Sequence, residues 1–109
     1  MRSYLFVANR DNIRRDSYTF DSNMHYAQRL MKDVGLYDVQ YLLYDNNQQQ
    51  VIEMGAISCI EYYEKERMGK VVFEHRQPLS TPFNMEIKEN YNIIPLAMDD
   101  LKRIGINIV

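Results

Sequence analysis

Residues Tyr4 to Ala8 are apolar without a break. In an extended chain Tyr4, Phe6 and Ala8 face one way while Leu5 and Val7 face the other. A strand that is apolar on both sides needs cover on both sides, so this segment is expected inside a sheet rather than at its rim. The run is far shorter than the roughly 20 apolar residues that cross a bilayer. Polar Asn9, Arg10 and Asp11 follow at once, so it is not read as a secretory signal either.

Asn9 to Asp21 reads as a long polar connection, and the next apolar pattern is helical. Met24, Ala27, Leu30, Met31 and Val34 fall on one stripe, with Asp21 or Ser22 placed to cap the first turn and Gly35 to end the helix. Tyr37 to Tyr44 then alternates as a strand. Asp45-Asn46-Asn47 signals a turn, and Gln49 to Met54 returns as the second arm of a hairpin. Ser58-Cys59-Ile60-Glu61 fits a capping box, which predicts a second, charged helix running to about Met68 with Gly69 as its stop. Lys70 to Arg76 reads as a further strand. The order β-α-β-β-α-β is that of the ferredoxin-like α+β fold, an antiparallel sheet with two helices on one face.

Beyond Arg76 the pattern weakens, because Pro78 and Pro82 interrupt regular structure. A strand within Met85 to Ile94, a short helix over Met98 to Ile104 and a terminal strand Ile106 to Val109 complete the expectation. The chain is thus read as a single domain, 1–109, with a core at 1–76 and a C-terminal extension at 77–109. Leu5, Phe6, Val7, Leu30, Val39, Tyr41, Leu43, Ile60 and Val72 are the expected core.

A chain of 109 residues buries roughly two-thirds of its unfolded surface and needs no metal or disulfide to fold. Cys59 is the only cysteine, which excludes an internal disulfide and fits a reducing, cytoplasmic setting. The net charge of −2, with acids and bases interleaved, argues against bulk electrostatic binding to nucleic acid or to a membrane. Asn, Ile, Tyr and Met are abundant while Ala, Gly and Pro are scarce, a bias toward AT-rich codons that points to a low-GC bacterium, a phage or another mobile element.

No motif names an enzyme. A Gly-rich phosphate loop, G-x-S-x-G, H-E-x-x-H and C-x-x-C are all missing. His25, His75 and Cys59 are the only strong soft-metal ligands, and no two have the local spacing of a zinc site, so no metal or other cofactor is expected. Cys59 and His75 form a conceivable nucleophile pair, but a thiol in a helix's first turn is expected simply to pack. Asp11, just past the first strand, with Asp16 in the same loop, is the candidate for a magnesium-dependent nuclease. The plainer reading is that both aspartates offset Arg10, Arg14 and Arg15 in a solvated loop. Those arginines with Tyr18 make the candidate nucleic-acid patch, cations for phosphates beside a ring for a base.

Tyrosine carries the strongest functional signal. Tyr62 and Tyr63 are adjacent, about 100° apart on a helix, so at least one is expected at the surface. Glu61, Glu64, Lys65, Glu66 and Arg67 surround them. An aromatic anchor in a ring of charges is the usual form of an interface hot spot. The leading expectation is therefore a non-enzymatic protein-binding module, a regulatory or inhibitory accessory protein that contacts a larger partner through Glu61, Tyr62, Tyr63, Glu66 and Arg67. Nucleic-acid binding through Arg10, Arg14, Arg15 and Tyr18 is the alternative, and a nuclease using Asp11 the third. The uncharged apolar end, Ile106 to Val109, adds the expectation of a homodimer formed by strand exchange.

Overall fold

The computed structural model describes residues 2–8, 13–14, 17–87, 91–97 and 99. Among them are seven strands, β1 (Arg2–Ala8), β2 (Ile13–Arg14), β3 (Ser17–Asp21), β4 (Val39–Asp45), β5 (Gln50–Tyr63), β6 (Met68–Asn84) and β7 (Ile93–Leu96), and one helix, α1 (Ala27–Leu36). All strands join one mixed sheet in the order β2-β3-β6-β5-β4-β1-β7, six of them longer than two residues. β1 and β4 are parallel, with Tyr4 opposite Tyr41 and Phe6 opposite Leu43. Every other neighbouring pair is antiparallel.

β1 lies inside the sheet and is covered on both faces. On one face Tyr4, Phe6 and Ala8 pack with Ala27 and Leu30 of α1 and with Tyr41, Leu43, Val71 and Phe73. On the other, Leu5 and Val7 join Leu42, Tyr44 and Val51, over which Leu79, Met85 and Ile87 are laid. The sheet curls. Tyr18 on β3 donates its hydroxyl to the Val7 carbonyl at 2.9 Å, and its ring centroid is 5.1 Å from that of Phe6, although β6, β5 and β4 separate β3 from β1 in the sheet. α1 fills the inside of the curl. No described helix is long and apolar enough to cross a membrane.

The ferredoxin-like arrangement is not formed. The chain is mostly strand, and the second helix expected over Ser58 to Met68 is instead the end of β5, a turn at Glu64 to Arg67, and the start of β6. Ile57, Ile60, Tyr62, Tyr63, Val71, Val72 and Phe73 are β-branched or aromatic and suit a pleated pair. The charged residues that would have been a helix's solvated face cluster at the hairpin tip, where Arg67 closes the turn at φ 53. Ser58 caps nothing. It is the extra residue of a β-bulge between the pairs Ile57↔Phe73 and Cys59↔Val72. Gly69 is not a helix stop but a strand residue opposite Phe20, and a Cβ there would lie 2.7 Å from Phe20 Cε1.

Other boundaries shift as well. α1 starts at Ala27 rather than after Asp21 or Ser22, with Tyr26 at its N-cap in the left-handed region (φ 68). Asp21 Oδ1 instead accepts the Asn23 N–H at 2.8 Å in the preceding turn. Gly35 lies within the helix. Residues 17–21, expected in a polar loop, form β3, and residues 77–84, expected in the extension, continue β6. Leu5, Phe6, Val7, Leu30, Val39, Tyr41 and Leu43 are buried as expected but divide between two faces, while Ile60 and Val72 are only partly buried. The strand expected within Met85 to Ile94 begins only at Ile93. Of the helix and strand expected over 98–109, only residue 99 is described, and it is helical.

Candidate functional site

β4 and β5 pair from Asp45↔Gln50 to Gln40↔Ala56, close to where β4 begins. β5 runs on to Tyr63. Its far side is paired with β6 up to Tyr63↔Met68, but among the described residues no strand continues beside Ser58–Tyr63 on the β4 side. α1 lies next to this stretch, and an open groove of about 740 Å³ separates the two. Met31, Lys32 and Val34 line it from the helix, and Cys59, Ile60 and Tyr62 from the strand. Gly35 widens the helix side, since an added Cβ would meet nothing within 4 Å.

The five residues expected to bind a partner all fall at this end of the molecule, but on a hairpin rather than a helix. Glu61, Tyr62 and Tyr63 end β5, and Glu66 and Arg67 belong to the tip turn. Tyr62 and Tyr63 are 48% and 47% exposed. As strand neighbours they point to opposite faces. Tyr62 looks into the groove, its hydroxyl 3.5 Å from Ser22 Oγ. Tyr63 donates to Glu61 Oε2 at 2.9 Å, and that hydrogen bond to a carboxylate raises the phenol's pKa above its usual value. Leu36 and Tyr37, 63% and 49% exposed, directly follow Gly35. Four of the six large apolar side chains exposed among the described residues therefore sit at the end of α1 or the end of β5.

The alternative sites fare differently. Arg10, Asp11, Arg15 and Asp16 lie outside the described residues, and Arg14 belongs to β2. Tyr18 is 1% exposed with its hydroxyl on Val7, so its ring is not presented to a base. Cys59 is exposed rather than packed in a helical turn, and it sits opposite Val72, whereas His75 occupies a bulge of β6 at φ 52. His25 stacks on Tyr91 with centroids 4.3 Å apart, and Tyr26 meets both rings edge-on. No group of three His, Cys, Asp or Glu among the described residues is arranged to hold a metal ion.

Two buried tyrosine–carboxylate pairs lie inside the curl. Tyr4 donates to Asp33 Oδ2 at 2.5 Å, and Tyr41 donates to Glu53 Oε2 at 2.9 Å. The same Glu53 oxygen accepts Arg76 Nε at 3.0 Å and is 2.9 Å from the guanidinium's terminal nitrogen. Burial first, and the carboxylate second, push both phenols well above the usual tyrosine value. They act as neutral hydrogen-bond donors that let two carboxylates enter the core. Comparison with family models, with curated proteins and with solved structures found no match.

The sequence did not single out the groove. Met31 and Val34 read as part of the helix's buried stripe, and Cys59 as a packed thiol. The run of β-branched and aromatic residues from Ile57 to Tyr63 was the available signal that this stretch is strand.

Proposed function

We propose that this chain is a non-enzymatic protein-binding module that takes an extended segment of its partner against the β5 edge that no described strand pairs. The observation that carries this reading is the mismatch in strand length. β5 outruns β4 from Ser58 to Tyr63, and the resulting edge borders a groove floored by Met31, Val34 and Ile60. An added strand gains main-chain hydrogen bonds from such an edge and specificity from the side-chain pockets beside it. Tyr62 is the anchor at the groove, and the charged tip from Glu61 to Arg67 is the rim. The setting that suits this role is cytoplasmic, as a regulatory or inhibitory accessory protein of a low-GC bacterium or its phage; the exposed, solitary Cys59 suits a reducing compartment.

Capture of the tagged protein's partner from its own host, with the captured chain identified by mass spectrometry, tests this when run on variants in parallel. Tyr62→Ala is expected to weaken capture by about 2 kcal/mol or more while leaving fold stability nearly unchanged. Charge reversal at Arg14 and Arg15 is expected to leave capture intact. If the arginine changes abolish capture and Tyr62→Ala has no effect, the edge is not the site, and salt-dependent nucleic-acid binding becomes the reading to pursue.

A further inference from the structure

We infer that the extended segment received at this groove carries an acidic side chain, flanked by apolar ones, on the face it turns toward α1. This rests on the binding-edge reading above and states the chemistry of its partner.

The groove has a direction. Gln28 Nε2 donates to the Ser22 carbonyl at 3.1 Å, and the Tyr62 hydroxyl lies 3.5 Å from Ser22 Oγ. The helix thus runs from the Tyr62 end of the groove toward the Ser58 end. Gln28, Met31, Lys32 and Gly35 recur at three- and four-residue spacing and form its groove-facing stripe, while Ala27, Leu30 and Asp33 are buried beneath.

The exposed charge on that wall is of one sign. The charged residues of α1 are Arg29, Lys32 and Asp33, and the acid is buried and accepts the Tyr4 hydroxyl, which leaves the two cations in solvent. Lys32 is the one charged residue that lines the groove, and it has no hydrogen bond or ion pair among the described residues. Acids nearby are turned elsewhere. Glu61 accepts the Tyr63 hydroxyl on the face opposite Tyr62, and at the tip Lys65 and Arg67 balance Glu64 and Glu66.

A segment lying along Ser58–Tyr63, beyond the first residue of β4, turns alternate side chains toward α1. Apolar ones rest on Met31, Val34 and Ile60, and the largest fits beside Gly35, where an added Cβ would meet nothing within 4 Å. A carboxylate between them meets Lys32, a contact that also turns away a basic segment. A single lysine over an apolar floor suits one carboxylate. A phosphate backbone calls for several cations along its track.

NMR titration of the full chain, read at the backbone amides of α1 and of Ser58–Tyr63, tests this with defined probes. A pair of short peptides alternates threonine with apolar residues and differs only in a central glutamate or lysine on the apolar face, and an oligothymidylate of similar length is the nucleic-acid probe. The glutamate peptide is expected to shift these amides and to bind about fivefold more tightly than the lysine peptide, the scale of one exposed ion pair exchanged for a like-charge contact. Lys32→Gln should remove that preference and Lys32→Glu reverse it, at an exposed position where the fold is unaffected. Lys65→Glu, at the hairpin tip, should leave it unchanged. The inference is overturned if the lysine peptide binds as tightly, if the preference survives Lys32→Glu, if neither peptide shifts the amides, or if the oligothymidylate binds more tightly than the glutamate peptide. The two readings fail separately. Peptides that bind alike and both lose affinity on Tyr62→Ala refute the acidic partner and leave the binding edge. Peptides that shift nothing, together with partner capture indifferent to Tyr62→Ala, refute both.

Discussion

The Tyr41 ring stacks on Phe73 with centroids 4.1 Å apart, and its hydroxyl shares one Glu53 oxygen with Arg76. Its ring also lies over Gly55, where a Cβ would come within 2.7 Å of Cε1. Tyr41→Phe keeps the stack but removes a donor from a buried carboxylate, and chemical denaturation should show a loss of about 1–3 kcal/mol. Burial, then the carboxylate, raises the pKa of both Tyr4 and Tyr41 in the folded state. In the unfolded chain each phenol titrates near the ordinary value of about 10. The folded protein thus keeps protons that the unfolded chain sheds. The stability tied to them is fully present below pH of about 10 and is lost as pH rises toward the folded-state values. Equilibrium unfolding across alkaline pH should show this fall, and Tyr41→Phe should make it shallower. The inward face of Tyr41 was legible from alternation in its strand. Its carboxylate was not, because Glu53 is charged and reads as solvent-facing until Arg76, far along the chain, is seen beside it.

Local periodicity made some elements legible and misled at one. β1, the apolar stripe of α1 and the hairpin of β4 and β5 all repeat at the period of the element they form. Between Ile57 and Ile60 the bulge at Ser58 breaks that rule. Ile57 belongs to the core and Ile60 packs against it, so two residues three apart both turn inward. That is helical spacing produced by a strand irregularity, and the charged residues after it completed the resemblance to an amphipathic helix. The two glycines that read as helix stops make a paired test. Gly69→Ala pushes a methyl into the Phe20 ring, which is itself buried, and thermal unfolding should show a loss of about 1–3 kcal/mol. Gly35→Ala adds a methyl that meets nothing inside a helix, and the same measurement should show a gain of about 0.5–1 kcal/mol.

Across the whole molecule, the parallel pair β1 and β4 lies between α1 on one side and the chain from Leu79 to Ile87 on the other. Native-state hydrogen exchange should find the slowest amides in β1 and β4 and faster ones in the Glu64–Arg67 tip, where backbone groups face water. The candidate site exists only at this scale. It is made by where β4 begins relative to β5 and by where α1 lies, and neither follows from the residues of any one segment. A sequence read segment by segment therefore finds Tyr62 and Tyr63 but not the groove.

The placement of β1 also has a consequence for how the protein is made. Both of its neighbours, β4 and β7, follow it in the chain, and β7 comes only after β5 and β6. Its ladder is incomplete until Ile93–Leu96 has emerged. Until then Leu5, Phe6 and Val7 lack their final cover, while the β4–β5 and β5–β6 hairpins close locally behind them. The nascent chain thus carries this apolar segment without its final cover until β7 has been made.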